Sequence, residues 1–132
     1  MTPRPLSRIL YVEDEADIRT IAELALTSLG GFAVRVCTCG QEALPAVLEF
    51  QPDLVLLDVM MPGLDGVATL ATLRADPAAR SVPVVFMTAR TQPAELAHYC
   101  SLGALDVITK PFDPLALPDQ VRGIWERHHA RA

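Results

Sequence analysis

Five short apolar runs alternate along this sequence with longer segments in which apolar residues recur at helical spacing. The apolar runs are 9–12, 33–36, 54–57, 82–87 and 107–108. The helical segments are 16–29, about 41–50, 66–74, 93–102 and the stretch from 113 onward. Strands and helices that alternate at this length are joined by right-handed crossovers. The alternation therefore predicts an α/β fold with a doubly wound, five-stranded parallel sheet.

The third and fourth runs are continuously apolar, which is typical of central parallel strands covered on both faces. Segment 16–29 carries apolar residues on one predicted helix face: Ile18, Ile21, Leu24, Ala25 and Leu29. Glycines stand where two helices should end: Gly30, Gly31 and Gly103. Asp65 and Asp113 are suitable helix starts, and Pro118 should kink the last helix or delay its start.

Length and composition indicate one globular domain. The 132 residues are 51% apolar and 20% charged, so we expect a single domain over 1–132, with a core of about 7–129 and no output domain. Eleven scattered Lys and Arg against 16 Asp and Glu give a net charge of −5, which disfavours direct nucleic-acid or membrane binding. With no signal peptide and no membrane-spanning run, the sequence predicts a cytoplasmic protein. Three cysteines without zinc-ligand spacing predict reduced thiols.

Polar side chains follow four of the five apolar runs. They are Glu13 and Asp14 after the first run, Asp58 after the third, Thr88 after the fourth, and Thr109 and Lys110 after the fifth. Ligands of open parallel sheets bind outside the carboxyl ends of the strands. We therefore expect three carboxylates, a hydroxyl and an ammonium group to meet at one edge of the sheet.

Three carboxylates that lie close together repel one another, and a hard divalent cation with oxygen ligands would keep them ionised. Mg²⁺ commonly binds a few carboxylates and a phosphoryl oxygen, so one carboxylate could act as a nucleophile toward phosphorus. Lys110 and Thr88 could then stabilise the equatorial oxygens of a phosphoryl group. Each residue also has an ordinary structural interpretation: Asp14 as a helix N-cap, Asp58 in a turn, Thr88 as a cap and Lys110 as a solvated charge.

Four motifs carry a resemblance to a known family. They are ILYVEDE at 9–15, LLDVMMPGLDG at 56–66, MTA at 87–89 and TKPF at 109–112. In order and spacing the chain resembles the receiver domains of two-component response regulators, including those similar to chemotaxis regulators. The resemblance implies the flavodoxin-like receiver fold, with strand order 2-1-3-4-5 and five flanking helices.

The resemblance also implies a function. Asp58 would accept a phosphoryl group from a sensor histidine kinase or a histidine phosphotransfer protein and so switch the surface that partners contact. Asp14 and Asp58 would bind Mg²⁺ directly, Glu13 largely through water, and Met60 through its backbone carbonyl, while the Lys110-Pro111 bond would be cis. The protein would catalyse only its own phosphorylation and dephosphorylation. Its downstream partner would be a protein target or an output domain on another chain, and a weak homodimer stays open.

Two positions depart from many relatives. Met60, two residues past the acceptor, cannot orient an attacking water strongly because a thioether is a weak acceptor and no donor, so we expect slow autodephosphorylation. Val107, three residues before Lys110, stands where the family usually carries a switch Tyr or Phe. We therefore expect output to depend on backbone and helix displacement.

Two other functional classes were weighed against this one. A hydrolase of the haloacid dehalogenase type would carry a second aspartate two residues past the nucleophile, where this sequence has Met60. A flavodoxin or P-loop protein would carry a Gly-rich loop after the first strand, which is missing. A non-phosphorylated, receiver-like binding module would be favoured if acceptor, acid pair or lysine were absent, and all are present.

Overall fold

The computed structural model describes residues 4–129 and contains a five-stranded parallel sheet of order β2-β1-β3-β4-β5. The strands are β1 (Arg8–Val12), β2 (Ala33–Cys37), β3 (Leu54–Asp58), β4 (Val84–Thr88) and β5 (Asp106–Thr109). Every strand pair is parallel, so the carboxyl ends of all five strands lie at one edge. The fold class and strand order predicted from the sequence are confirmed.

Five α-helices connect and follow the strands: α1 (Ala16–Leu24), α2 (Ala43–Phe50), α3 (Gly66–Ala75), α4 (Pro93–Ser101) and α5 (Leu117–His129). A π-helical turn over Ala25–Leu29 extends α1, and a 3₁₀ turn over Gly40–Glu42 precedes α2. No helix within residues 4–129 combines the length and apolar character that a membrane crossing requires.

The sheet separates two layers of core. One face packs against α2, α3 and α4, and the other packs against α1 and α5. All five residues of β3 and all five of β4 are buried, because these central strands are covered on both faces. Trp125 of α5 is buried and its indole N–H donates to the Arg4 carbonyl at 2.7 Å, so this ring packs the last helix onto the sheet.

The predicted apolar face of the first helix was wrong at three positions. Ile21, Leu24 and Leu29 are 48%, 61% and 59% exposed, whereas Ala22, Ala25 and Leu26 are buried. Alanine at the contact lets the helix approach the sheet closely, so the small residues face inward. The π-helical turn, which has more residues per turn than an α-helix, then changes the register of the positions after Leu24.

Most predicted helix boundaries are confirmed. Asp65 caps α3, with its side chain accepting a hydrogen bond from the Ala68 N–H at 2.8 Å. Gly31 and Gly103 follow helical turns with φ of +73° and +107°. Asp113 was wrong as a helix start, because it forms a turn with Leu115 and α5 begins only at Leu117. Pro118 thus lies in the first turn, where a missing N–H is tolerated.

Candidate functional site

The carboxyl ends of β1, β3, β4 and β5 are consecutive in the sheet, and they bring the predicted polar residues together. Glu13 and Asp14 follow β1, Asp58 ends β3, Thr88 ends β4 and Lys110 follows β5. One carboxylate oxygen from each acidic residue can be chosen so that all three lie within 4.8 Å of one another. Asp58, Met60, Thr88 and Lys110 line one open cleft at this edge.

Lys110 is the cation of this cluster. Its Nζ lies 2.9 Å from Glu13 Oε1 and 3.4 Å from Asp58 Oδ2, and its side chain is only 15% exposed. Burial alone would lower the pKa of Lys110, but the two carboxylates raise it above its ordinary value. Lys110 is therefore a paired charge and not a solvated one, and its peptide bond to Pro111 is cis as expected.

Glu13 and Asp58 form a buried pair of carboxyl groups, 0% and 2% exposed. Burial, followed by the bond to Glu13 and its negative charge, raises the pKa of Asp58 to about 7. Burial opposes ionisation of Glu13 as well, but hydrogen bonds from Asp58 and Lys110 hold the pKa of Glu13 below its ordinary value. Without a metal ion, the pair therefore keeps one proton, on Asp58, until the pH rises to about 7.

Asp14 supplies a test of whether this cluster suits a metal ion. Its Oδ1 atom is buried without a hydrogen-bond partner, and no other side-chain nitrogen or oxygen atom of the described side chains, residues 4–128, is in that state. Such an orphaned oxygen is costly unless a ligand completes it. A hard cation such as Mg²⁺ prefers carboxylate oxygens, so the donor set of Glu13, Asp14 and Asp58 fits that ion.

Residues 9–122 match the family model of the response regulator receiver domain. The chain belongs to this family. The receiver is 40% identical over 121 residues to the DNA-binding response regulator MtrA of Mycolicibacterium paratuberculosis, an alignment that covers 92% of this chain and 52% of that protein. The receiver thus spans about half the length of this curated relative.

Solved structures agree with this assignment. The chemotaxis protein CheY4 of Vibrio cholerae superposes with a TM-score of 0.82 at 25% identity, covering 90% of the receiver and 98% of that chain. A putative response regulator from Chloroflexus aurantiacus gives a TM-score of 0.79 at 30% identity, with coverage of 92% and 98%. Response regulators as a class interact with histidine kinases and with output domains.

The ordinary structural roles of the site residues hold only in part. Glu15, not Asp14, is the N-cap residue of α1, and it makes no side-chain cap bond. Asp58 does make a turn contact, because its Oδ1 accepts a hydrogen bond from the Met60 N–H at 3.2 Å. Thr88 accepts from the Arg90 N–H at 3.0 Å through its hydroxyl and does not cap α4. These bonds orient both side chains toward the cleft loops.

Gly66 holds the start of α3 against the loop 59–65, which follows Asp58 and is named the acceptor loop. A Cβ atom at this position would lie 2.5 Å from the Asp58 carbonyl oxygen and 2.7 Å from Val59 Cα. The Gly66 N–H donates to the Val59 carbonyl at 3.0 Å. Only glycine therefore allows this close approach between helix and loop.

Two residues behind the acidic cluster were missed by sequence reasoning. The Tyr11 hydroxyl donates to Glu13 Oε1 at 3.2 Å, and the Arg19 guanidinium donates to the Glu13 and Asp14 carbonyls at 2.9 and 3.4 Å. The signal for Tyr11 was present, since it is a phenol in the otherwise apolar run 9–12, two residues before Glu13. Arg19 offered no comparable signal among the charges of α1.

Proposed function

We propose that this receiver is a Mg²⁺-dependent phosphoacceptor in which the Asp58 carboxylate takes a phosphoryl group from a phosphohistidine. The observation that carries the proposal is the incomplete acidic cluster. Three carboxylates converge within 4.8 Å, one of their oxygens has no partner, and Lys110 is the cation paired with two of them. Such a cluster suits a cation and an anionic group that bind together.

Under this proposal, Asp14 and Asp58 bind the ion directly, Glu13 acts largely through a water, and the Met60 carbonyl completes the protein ligands. The bound ion would supply positive charge for the carboxylates and for the phosphoryl oxygens. Asp58 would then ionise well below the value of about 7 that it has beside Glu13, because a cation favours the charged form.

The ionised Asp58 oxygen forms a bond to phosphorus while the bond between phosphorus and the donor imidazole nitrogen breaks. The departing imidazole keeps the electron pair of that bond, and the product is an acyl phosphate on Asp58. Lys110 Nζ, already 3.4 Å from Asp58 Oδ2, stabilises one equatorial oxygen. The Thr88 hydroxyl oxygen accepts a hydrogen bond from the Arg90 N–H. The hydroxyl proton of Thr88 can therefore be donated to a second equatorial oxygen of the phosphoryl group.

The functional outcome is a switch and not substrate turnover. The phosphoryl group changes the surface near Asp58 that partners contact, and water later removes it in a self-catalysed reaction. The proposed phosphoryl donors are a sensor histidine kinase or a histidine phosphotransfer protein. The proposed downstream partner is a protein target or an output domain on another chain. No direct contact with nucleic acid or membrane is proposed, the proposed location is the cytoplasm, and a weak homodimer is compatible with the role.

Acetyl phosphate tests this proposal without a partner protein. Incubation with Mg²⁺ should add the mass of one phosphoryl group to the intact chain, and both EDTA and Asp58→Asn should prevent the addition. Phosphorylation that persists in Asp58→Asn, or that needs no divalent cation, would refute the assignment.

A further inference from the structure

Tyr11 is a polar residue in the middle of the core. Its side chain is 0% exposed and lies in the core layer beneath α1 and α5, among residues such as Leu26 and Leu117. Its hydroxyl nevertheless extends to the acidic cluster, where it donates a hydrogen bond to Glu13 Oε1 at 3.2 Å. A buried phenol that spends its one proton on a site carboxylate links the apolar core to the acidic cluster.

Besides the Asp58 carboxyl group, three donors within the described chain hold the Glu13 carboxylate. Oε1 accepts from the Tyr11 hydroxyl and from Lys110 Nζ, and Oε2 accepts from the Glu15 N–H at 3.3 Å. Lys110 is shared with Asp58, and the Glu15 bond is long. Tyr11 is therefore the donor that belongs to Glu13 alone and comes from a rigid, fully packed strand.

The protonation of Tyr11 suits a permanent donor. A phenol has an ordinary pKa of about 10 and has one proton to donate. The hydroxyl keeps its proton in neutral solution and offers it to Oε1. Loss of this bond would leave Oε1 with the shared Lys110 donor and would free the carboxylate to turn toward Asp58.

We propose that Tyr11 is a positioning residue whose hydroxyl fixes the orientation of Glu13 and thereby sets the affinity of the acidic cluster for Mg²⁺. The inference rests on the proposed function, because it assumes that the cluster binds that ion. Outer-shell partners of metal ligands typically change metal affinity by about 10–100-fold. Because Glu13 is expected to act largely through water, we expect an effect of about tenfold, at the lower end of that range.

The chain carries a matched control for this test. Its only other tyrosine is Tyr99, which is also buried but packs edge-on against Phe86 with a centroid distance of 5.3 Å. Tyr11→Phe and Tyr99→Phe each delete one hydroxyl group from a buried residue. In calorimetric Mg²⁺ titrations of folded protein, Tyr11→Phe should bind about tenfold more weakly, and Tyr99→Phe should bind like wild type. Equal affinities in the two variants would overturn the inference.

A double-mutant cycle separates positioning from a general loss of packing. If Tyr11 acts through Glu13, Tyr11→Phe should no longer change Mg²⁺ affinity when Glu13→Gln is already present. The same tenfold loss in both backgrounds would show that Tyr11 acts by another route and would overturn the inference.

Fluorine NMR keeps the inference testable if Tyr11→Phe does not fold. Wild type labelled with 3-fluorotyrosine has two resonances, which Tyr99→Phe assigns. Mg²⁺ should shift the Tyr11 resonance and leave the Tyr99 resonance nearly unchanged, and an unmoved Tyr11 resonance would count against the inference. Wild type that binds no Mg²⁺ would overturn the proposed function as well, whereas normal binding with silent Tyr11 readouts would overturn this inference alone.

Discussion

Asp53 and Asp58 are buried carboxylates at opposite ends of the same strand. Asp53 immediately precedes β3 and is 8% exposed, and Asp58 ends it and is 2% exposed. Asp53 Oδ1 accepts from the Arg4 guanidinium at 2.5 Å, and Oδ2 accepts from the N–H groups of Ser7 and Arg8 at 3.1 and 2.9 Å. Asp53 is thus fully provided with donors and joins the N-terminal segment to the sheet.

Asp58 has a different set of neighbours. Its donors are the Met60 N–H at 3.2 Å and Lys110 at 3.4 Å, and Lys110 is closer to Glu13. A second carboxyl group and the orphaned oxygen of Asp14 lie beside it. Both aspartates are therefore buried, but only the charge of Asp58 lacks full compensation by neighbouring donors and cations. That difference distinguishes a ligand-binding carboxylate from a structural one.

The largest expected difference concerns phosphorylation. Asp58→Asn should abolish labelling by acetyl phosphate, because the amide is no nucleophile. Asp53→Asn should retain labelling, because Asp53 lies at the other edge of the sheet. Intact-protein mass spectrometry measures both. Loss of labelling in folded Asp53→Asn would break the distinction between the two ends of β3.

The cations beside the two aspartates should differ next in effect. Lys110→Ala should slow phosphorylation by about a hundredfold, the usual result of removing a donor to developing negative charge. Arg4→Ala should leave the rate unchanged, because the Arg4 guanidinium pairs with the distant Asp53 carboxylate and its side chain is 74% exposed. Initial rates with acetyl phosphate and saturating Mg²⁺ measure this contrast, and similar rates in the two variants would contradict it.

Stability without Mg²⁺ should depend on pH through Asp58. The folded pKa of about 7 exceeds the ordinary 3.8, so between these values the folded state holds a proton that the unfolded state has released. Stability should therefore fall as pH rises, by about 2 to 3 kcal/mol between about pH 5 and about pH 7. Glu13, with its lowered pKa, is ionised throughout this range.

Urea unfolding in EDTA measures this dependence in wild type and two variants. Asp58→Asn should remove most of the slope, and Asp53→Asn should keep the slope while lowering stability by about 2 kcal/mol at each pH, since it loses charged hydrogen bonds. A flat wild-type profile would contradict the proton held by the Glu13–Asp58 pair.

A smaller effect is expected at the open side of the site. Met60 is 57% exposed beside Asp58, and its thioether cannot orient water. Met60→Asn should shorten the lifetime of the phosphoryl group severalfold, measured as loss of mass after removal of acetyl phosphate. Leu48→Asn is the control, because Leu48 is 43% exposed and shares a cleft with Asp53. An unchanged decay in Met60→Asn would remove this role of Met60.

The smallest signal should be a displacement of α4. Val107 pairs in register with Phe86, two residues before Thr88, and provides no aromatic ring to rotate. A phosphoryl mimic such as beryllofluoride should shift amide NMR resonances of the Asp58 edge and α4, and leave those around Asp53 unchanged. Shifts confined to the acceptor loop would contradict coupling through α4.

The site was predictable because a parallel sheet dictates where strand ends meet. Once Asp58 and Lys110 followed buried strands, their proximity across 52 positions required no further information. No comparable rule predicts the contacts of Asp53 or of the Tyr11 hydroxyl. The partner of Asp53 is Arg4, which lies 49 positions away in the sequence. That the Tyr11 hydroxyl extends from the core to Glu13 could be seen only in the three-dimensional structure.

The fold was predictable in its elements and less so in its helix faces. Continuous apolar runs identified the central strands, because residues 54–57 are apolar at every position and can therefore face a covered core on both sides of the sheet. In segment 16–29, apolar residues occupy several overlapping i, i+3 and i+4 sets, so the sequence alone could not choose the buried one. The choice of Ala22, Ala25 and Leu26 depends on how closely the helix meets the sheet.

The close contact at Gly66 limits the directions in which the acceptor loop can move. Helix α3 lies so close to the acceptor loop that a Cβ atom at Gly66 would be only 2.5 Å from the Asp58 carbonyl oxygen. If Asp58 is phosphorylated as proposed, this contact leaves the loop no room to move toward α3, so we expect the loop to move along the sheet edge toward Thr88. The side of the loop that faces Thr88 would then be the side through which partners sense the phosphoryl group.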